Sequence, residues 1–430
     1  MTDRLRAILD NDSAATDSRK RWLWLPSLSF GDGLSLSVIL LFTVMLHRFG
    51  LGKVFTVLYV SLLCIPFVAR PLTEAVVSYF RGTTKVWVLS AEFISALSLC
   101  ALAFILSTSY WLQGTLCFLA FFVLAGVFAN VAVERFYMDD SCGNGVRDCR
   151  LFTLFRSIAM LFGVGVCVTL AGNMEVVTRD IRYSWSFVAY ILAGVELLLW
   201  LWHTLFLPGG RRFPAKEKDV RGLALYGLRH SLKVLLHEQR HTLTLVFIAV
   251  FVLPEAFLAL MSPVFMVDAA HNGGLGQSPQ EFGLAFGTVG VSAFFVGKAY
   301  GMSLARRLRL RWSAVIAATV MPVHGLSMCF LSYSLDASLL TACLVSFVGC
   351  AASGFAMHTV SVIVRCYSAS GFSVLRRAVA LGVVSLTVVC SSSLAGFMQA
   401  ELGYRQFFSV VLFLYAVPFM ASVALLLRKR

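Results

Sequence analysis

The feature that most constrains this chain is a succession of twelve apolar stretches separated by short polar clusters. Each is roughly 20 residues long, the length that an α-helix needs to cross the hydrocarbon core of a bilayer. Lipid admits only helices and closed barrels, and these stretches are continuous rather than alternating, which excludes a barrel. Charged residues make up 13% of the chain, against about 25% in soluble domains. The sequence therefore predicts an all-α integral membrane protein with twelve transmembrane helices.

The polar interval at residues 208–240 divides the apolar stretches six and six. Within it, leucines recur at helical spacing opposite basic residues, which predicts an amphipathic helix on the inner leaflet. The division predicts two six-helix bundles with short polar flanks: a tail at 1–22, a first bundle at 23–207, a linker at 208–240, a second bundle at 241–427 and a basic tail at 428–430.

The distribution of positive charge predicts the orientation. Under the twelve-helix interpretation, 30 of the 36 lysines and arginines fall on one side and 5 on the other, with Lys298 inside a helix. Cytoplasmic loops keep the excess of Lys and Arg. Both termini are therefore expected in the cytoplasm, and the net charge of +14 is a topology signal rather than a nucleic-acid-binding surface.

Ionisable residues near the middle of apolar stretches are the best functional candidates, because each costs at least about 2.5–3.5 kcal/mol there. Asp32 lies between Gly31 and Gly33 in the first stretch, and Glu255 follows Pro254 in the seventh. Interrupted helices at equivalent positions of two repeats are typical of a transport site. We expect both carboxyl groups to take part in proton coupling, with a purely structural, hydrogen-bonded role as the alternative.

Other charged residues have two interpretations each. Glu134 and Arg156 flank one hairpin loop at similar depth and are predicted to form an ion pair that serves packing or gating. Arg70 and Glu74 are spaced for a local helical pair, which is favoured over a substrate contact. Lys298 either extends to the inner interface or faces the cavity as a counter-charge.

The remaining buried ionisable groups are interpreted as structural: Glu92, Glu196, His324 and His358. No zinc-protease motif, nucleophile elbow or P-loop is found, so an enzyme and an ATP-driven pump are both unexpected. No cofactor or metal site is predicted.

Several segments, in order along the chain, resemble the AmpG-like branch of the major facilitator superfamily, which includes muropeptide permeases and peptide–acetyl-CoA transporters. They include WLPSLSFGDGLSL, CIPFVARPL, FYM at 136–138, the stretch around Arg156, and LPEAFLALMSPVFMVD ending at Asp268. The resemblance implies a proton-driven importer of the bacterial cytoplasmic membrane that works by alternating access. It also adds Tyr137 and Asp268 to the cavity or gating residues.

The chain departs from that pattern at several positions. Val252 and Ala259 stand where basic residues are expected, and Ala305 takes the place of an aspartate in a loop signature. The sequence thus leaves open a muropeptide-like cargo, an exporter of a drug or siderophore-like compound, and a non-transporting sensor on the same scaffold. Expected partners are a small-molecule solute, protons and membrane lipid, with the chain acting as a monomer.

Overall fold

The computed structural model describes the backbone of residues 2–79, 83–140, 145–209, 239–334, 337–368 and 373–427. Side chains are described over 22–77, 83–135, 151–209, 242–334, 337–368 and 375–427. Almost all of the described residues are helical, because no other structure satisfies the backbone hydrogen bonds of so many successive apolar stretches in lipid. The predicted linker helix and the side chain of Tyr137 lie outside the described part.

The first half of the chain contains nine α-helices and one π-helical turn among the described residues. They are α1 Thr2–Arg48, α2 Lys53–Leu63, α3 Ile65–Val68, α4 Arg70–Tyr79, α5 Thr84–Ile105, α6 Trp111–Asp140, α7 Gly145–Met160, the π-helix Leu161–Cys167, α8 Val168–Thr178 and α9 Ile181–Phe206.

The second half continues with eight α-helices, a second π-helix and a short 3-10 turn in the described residues. They are α10 Gln239–Val267, the turn Ala270–Asn272, α11 Pro279–Phe282, the π-helix Gly283–Gly290, α12 Val291–Ala305, α13 Leu310–Val320, α14 Pro322–Tyr333, α15 Leu339–Ser368, α16 Ser373–Leu414 and α17 Ala416–Leu427.

Ten helical stretches in the described residues are long and apolar enough to cross a membrane, and the pair Lys53–Val68 and Arg70–Val77, bent by 42°, makes eleven if it is one span. The last stretch, Leu375–Leu427, has 53 residues, so at 1.5 Å per residue it would extend about 80 Å, far more than a bilayer core. Gly403 breaks it, with φ 74° and ψ 167°. The chain is thus a multi-pass membrane protein.

Contacts between the two halves of the chain follow three pairs of helical segments. The bent segment α2–α4 packs on α16, α1 packs on α10, and the π-helix before α8 packs on the π-helix before α12. Large apolar side chains remain exposed on the outer surface, including Phe104, Val177 and Phe413. Such exposure is unusual in water, and lipid is the solvent that fits it.

Glycines at the two π-helices let the segments approach backbone to backbone. A Cβ on Gly165 would lie 2.8 Å from Thr288 Oγ1, and one on Gly287 would collide with the carbonyl oxygen of Val164. Only glycine fits a contact of this kind. The backbones of the two halves therefore come close together here.

The predicted interruptions at Asp32 and Glu255 are wrong. Helix α1 runs through Gly31 and Gly33 without a break, and α10 runs through Pro254. Gly33 has a packing role instead, because a Cβ there would lie 2.6 Å from the carbonyl oxygen of Arg156 on α7. Neighbouring helices in a bundle compensate for the missing proline donor.

We expect Gly287→Ala to lower stability by about 1–3 kcal/mol, the usual cost of overpacking a tight contact. The thermal unfolding midpoint of the purified protein in detergent measures the effect. Gly194 is the matched control, since a Cβ there meets nothing within 4 Å. An equal midpoint for Gly287→Ala and Gly194→Ala would contradict the close contact.

Candidate functional site

Asp32 is buried at the meeting point of three helices. Its Oδ1 accepts a hydrogen bond from Asn130 Nδ2 on α6. Its Oδ2 lies 3.2 Å from Arg156 Nη1 on α7, but this ion pair lacks hydrogen-bond geometry, and Oδ2 receives no hydrogen bond from any described residue. One carboxylate oxygen is therefore fixed by an amide, while the other is held by charge alone.

From Asp32 the polar contacts continue into the second half of the chain. Asn130 Oδ1 accepts a hydrogen bond from Arg70, and Arg70 Nη2 lies 2.9 Å from Glu134 Oε2. The other oxygen of Glu134 accepts a hydrogen bond of 3.2 Å from Arg377 Nη2 on α16. We call this last contact, between Glu134 and Arg377, the Glu134 latch, because it joins the two halves.

Local structure explains why these residues meet. Asn130 and Glu134 are four residues apart on α6 and so lie on the same face of the helix. Arg70 begins α4, directly after the bend that follows α3, so its side chain starts where the second span changes direction. One turn further along α4, Glu74 pairs with Arg135 of α6.

Two predicted pairings are wrong. Glu134 pairs with Arg70 and Arg377 rather than with Arg156, which lies against Asp32. Glu74 pairs with Arg135 instead of Arg70. The reason is that helix packing brings side chains from other elements closer than the partners that share a hairpin or a helix turn.

The two partners of the ion pair at Asp32 differ in solvent exposure. The Asp32 side chain is 1% exposed, whereas that of Arg156 is 33% exposed. Arg156 is thus accessible from outside the network, whereas Asp32 is enclosed. The arrangement can thus exchange the counter-charge of a buried carboxyl group.

Glu255 sits in a separate cluster in the second half, where both of its carboxylate oxygens have partners. His324 Nδ1 lies 2.9 Å from its Oε2, Ser353 Oγ donates to the same oxygen at 2.6 Å, and Tyr415 OH donates to Oε1 at 2.8 Å. These partners come from α14, α15 and the loop after α16. Glu255 therefore ties four parts of the second half together.

A comparable carboxyl–imidazole contact occurs in the first half. His203 Nδ1 of α9 lies 2.7 Å from Glu92 Oε1, and its Nε2 lies 2.9 Å from Ser27 Oγ. Glu196 is also buried. Sequence reasoning missed His203 because it lies near the end of an apolar stretch, where a histidine is unremarkable.

Asp268 lies away from the network around Asp32, against His47 near the end of α1. Asp268 follows α10 at the opposite end of that helix from Gln239, and Lys298 is half-buried on α12. Burial raises the pKa of Asp268, but the nearby His47 and the hydrogen bonds from Asn272 and Tyr404 outweigh it and hold that pKa well below its usual range. Asp268 is therefore an ionised carboxylate at neutral pH.

Asp268 also joins the two halves. His47 Nε2 of α1 lies 3.4 Å from its Oδ1, and Lys53 Nζ of α2 lies 3.8 Å from its Oδ2. We call these contacts the Asp268 latch. Asn130, Arg377 and His47 are functional candidates that the sequence did not mark, since an amide, and an arginine and a histidine near helix ends, carry no signal of their own.

No protein-family model and no curated protein matches the chain in sequence. Solved structures do match over nearly its whole length. A POT family transporter in complex with a thioalcohol-conjugated peptide has a TM-score of 0.68 at 13% identity, covering 94% of this chain and 95% of that one. The nucleoside transporter NupG gives 0.66 at 14%, covering 95% and 99%. A D-xylose-proton symporter gives 0.67 at 13%, covering 95% and 96%.

The likeness shows the fold. The chain has the major facilitator fold of these transporters, which confirms that part of the prediction. All the solved proteins named here are transporters rather than enzymes, in agreement with the lack of enzyme motifs in the sequence. The AmpG-like branch stays a prediction.

A double-mutant cycle measures how much the contact between Glu134 and Arg377 contributes to stability. Glu134→Gln and Arg377→Gln should each lower stability, and the double variant should lose less than their sum, with a coupling between about 0.5 and 3 kcal/mol. Thermal unfolding in detergent measures it. The matched control pairs Glu134→Gln with Arg405→Gln, which lies outside the latch. Additive losses in the first cycle would show that the contact carries no energy.

Proposed function

We propose that this protein is a secondary active transporter of the bacterial cytoplasmic membrane that couples proton movement to passage of a medium-sized polar solute, such as a muropeptide. In this proposal twelve helices form two bundles, at 23–207 and 241–427, with both termini in the cytoplasm. The bundles expose a central site to each face in turn. The fold shared with solved transporters supports this class of function.

The observation that carries the proposal is the ion pair between Asp32 and Arg156. In the structure the guanidinium of Arg156 lies 3.2 Å from Oδ2 of the carboxylate. When Arg156 turns to a solute, Asp32 is left enclosed with no cation at Oδ2, and uptake of a proton removes that charge from the low-dielectric interior. Solute binding and protonation are thus coupled through a single arginine.

The two latches supply the alternation. The Glu134 latch joins the halves near the start of α16, on the proposed cytoplasmic side, and the Asp268 latch joins them near the end of α1, on the proposed outer side. A transporter must open one side while the other stays closed. Breaking one set of ion pairs while the other persists fulfils that requirement.

The direct test is proton-driven flux. In proteoliposomes with an imposed pH gradient, uptake of a radiolabelled muropeptide should fall to background in Asp32→Asn, because the amide cannot take up the proton. Glu401→Gln, which alters an exposed carboxyl group, is the control and should keep normal flux. Undiminished gradient-driven uptake by Asp32→Asn would reject proton coupling at this residue.

The same assay separates the alternatives. Flux of a drug or siderophore-like compound in the opposite direction would favour an exporter. No gradient-driven flux of any of these solutes would favour the non-transporting sensor.

For Glu255 the geometry favours helix packing over proton coupling. Glu255→Gln offers one acceptor oxygen to three donor side chains, so at least one buried donor loses its partner, at a cost of about 1–3 kcal/mol. We expect a lower thermal midpoint with flux per folded molecule retained. Loss of gradient-driven flux with an unchanged thermal unfolding midpoint would instead support the predicted role of Glu255 in proton coupling.

A further inference from the structure

A cavity of about 380 Å³ lies between the halves beside the Asp268 latch. Its volume is within the range of small-ligand sites, about 300–1,000 Å³. Polar side chains from both halves line it: His47, Arg48 and Lys53 from the first, and Asp268, Asn272 and Gln277 from the second. It is separate from the network around Asp32.

Asp268 does not depend on the first half for its hydrogen bonds. Tyr404 OH donates to its Oδ2 at 2.8 Å, Asn272 Nδ2 donates to Oδ1 at 3.0 Å, and the backbone N–H of Ala269 donates to Oδ1 at 2.9 Å. All three donors belong to the second half. If His47 and Lys53 move away from Asp268, the buried carboxylate therefore still has three hydrogen-bond donors.

The cations of the cavity are not equivalent. Arg48 Nε lies 3.0 Å from Glu175 Oε2, and this carboxylate also accepts a hydrogen bond from Trp185, so the charge of Arg48 is already balanced. Lys53 stands over the Tyr404 ring, 5.0 Å from its centroid, and 3.8 Å from Asp268 Oδ2. Lys53 is thus the loosely held cation that faces the cavity.

Two polar atoms of cavity residues lack partners. His47 Nδ1 and Gln277 Oε1 are both buried, and neither has a hydrogen-bond partner among the described residues. Buried polar groups in native proteins are normally satisfied. A ligand with a carboxylate for the cations and an O–H or N–H donor would supply the missing partner of Gln277 Oε1.

We propose that the cavity binds a small organic acid bearing a hydroxyl or amide group, whose carboxylate replaces Asp268 as the partner of Lys53 and His47. The exchange breaks the Asp268 latch, because both contacts that join the halves there pass to the ligand. Asp268 keeps its donors Tyr404, Asn272 and Ala269. Binding of the ligand and separation of the two halves at the Asp268 latch then occur together. This inference rests on the proposed function only for its role in transport.

Malate, which has two carboxylates and a hydroxyl, is a suitable probe. Radiolabelled malate should bind saturably to the full chain in detergent at low ionic strength, measured by scintillation proximity without any gradient. Unlabelled malate should displace it, whereas the neutral diamide malamide should not. Absence of saturable binding, or equal displacement by malamide, overturns the proposal.

Variants locate the binding. Lys53→Gln should raise the apparent Kd for malate by about tenfold or more, which corresponds to the loss of one charge-assisted contact. Asp268→Asn should tighten it, because the competing carboxylate is gone, an effect that a purely structural role would not give. Unchanged affinity in Lys53→Gln overturns the site even if Asp268→Asn fails to fold.

Arg405→Gln is the matched control. It removes a cation from the C-terminal side of Gly403, where Arg405 bonds the Ser332 carbonyl and faces the Tyr333 ring rather than the cavity. Its affinity for malate should equal that of the unaltered protein, and an equal loss in Arg405→Gln and Lys53→Gln overturns the assignment. Malate binding without any proton-driven flux would uphold this site while rejecting the proposed function, and flux without malate binding would do the reverse.

Discussion

A charge inside a bilayer must find its partner within the protein, since lipid offers none. In this chain three of the described ionisable side chains near mid-span lie in clusters drawn from several helices. Asp32 depends on α6 and α7, Glu255 on α14, α15 and Tyr415, and Glu92 on α9. These polar contacts fix which helices are neighbours more specifically than apolar packing does, because one leucine can replace another but a carboxylate needs its donors.

The clusters differ in whether every carboxylate oxygen has a hydrogen-bond donor. We use that difference to separate structural carboxyl groups from functional ones. Both oxygens of Glu255 are hydrogen-bonded, so little is gained by moving its partners. Asp32 has one oxygen held only by the charge of a partly exposed arginine. In the proposed transport cycle this incompleteness is the useful property, because a counter-charge that can be exchanged links solute to proton.

Apolar packing between the halves complements the ion pairs. Glycines such as Gly165 and Gly287 bring the two π-helices into backbone contact, so this seam contains few side chains that could become trapped during movement. The ion pairs of the two latches lie elsewhere along the interface. In the proposed cycle, the two halves rock against each other at the contact between the π-helices. The ion pairs of the two latches determine which side is open.

The sequence by itself determined the class of fold and the candidates, because the length and continuity of apolar stretches follow directly from bilayer thickness, and buried charges are rare enough to stand out. It marked Asp32, Arg156 and Glu134 as candidate site residues, yet it paired Glu134 with Arg156 and predicted interrupted helices at Asp32 and Glu255. Only the tertiary structure decided the partners: Asn130 between Asp32 and Arg70, Arg377 across the interface, and His47 and Lys53 against Asp268. The physical reason is that pairing depends on how helices far apart in sequence are rotated and packed, which hydropathy and spacing along the chain do not encode.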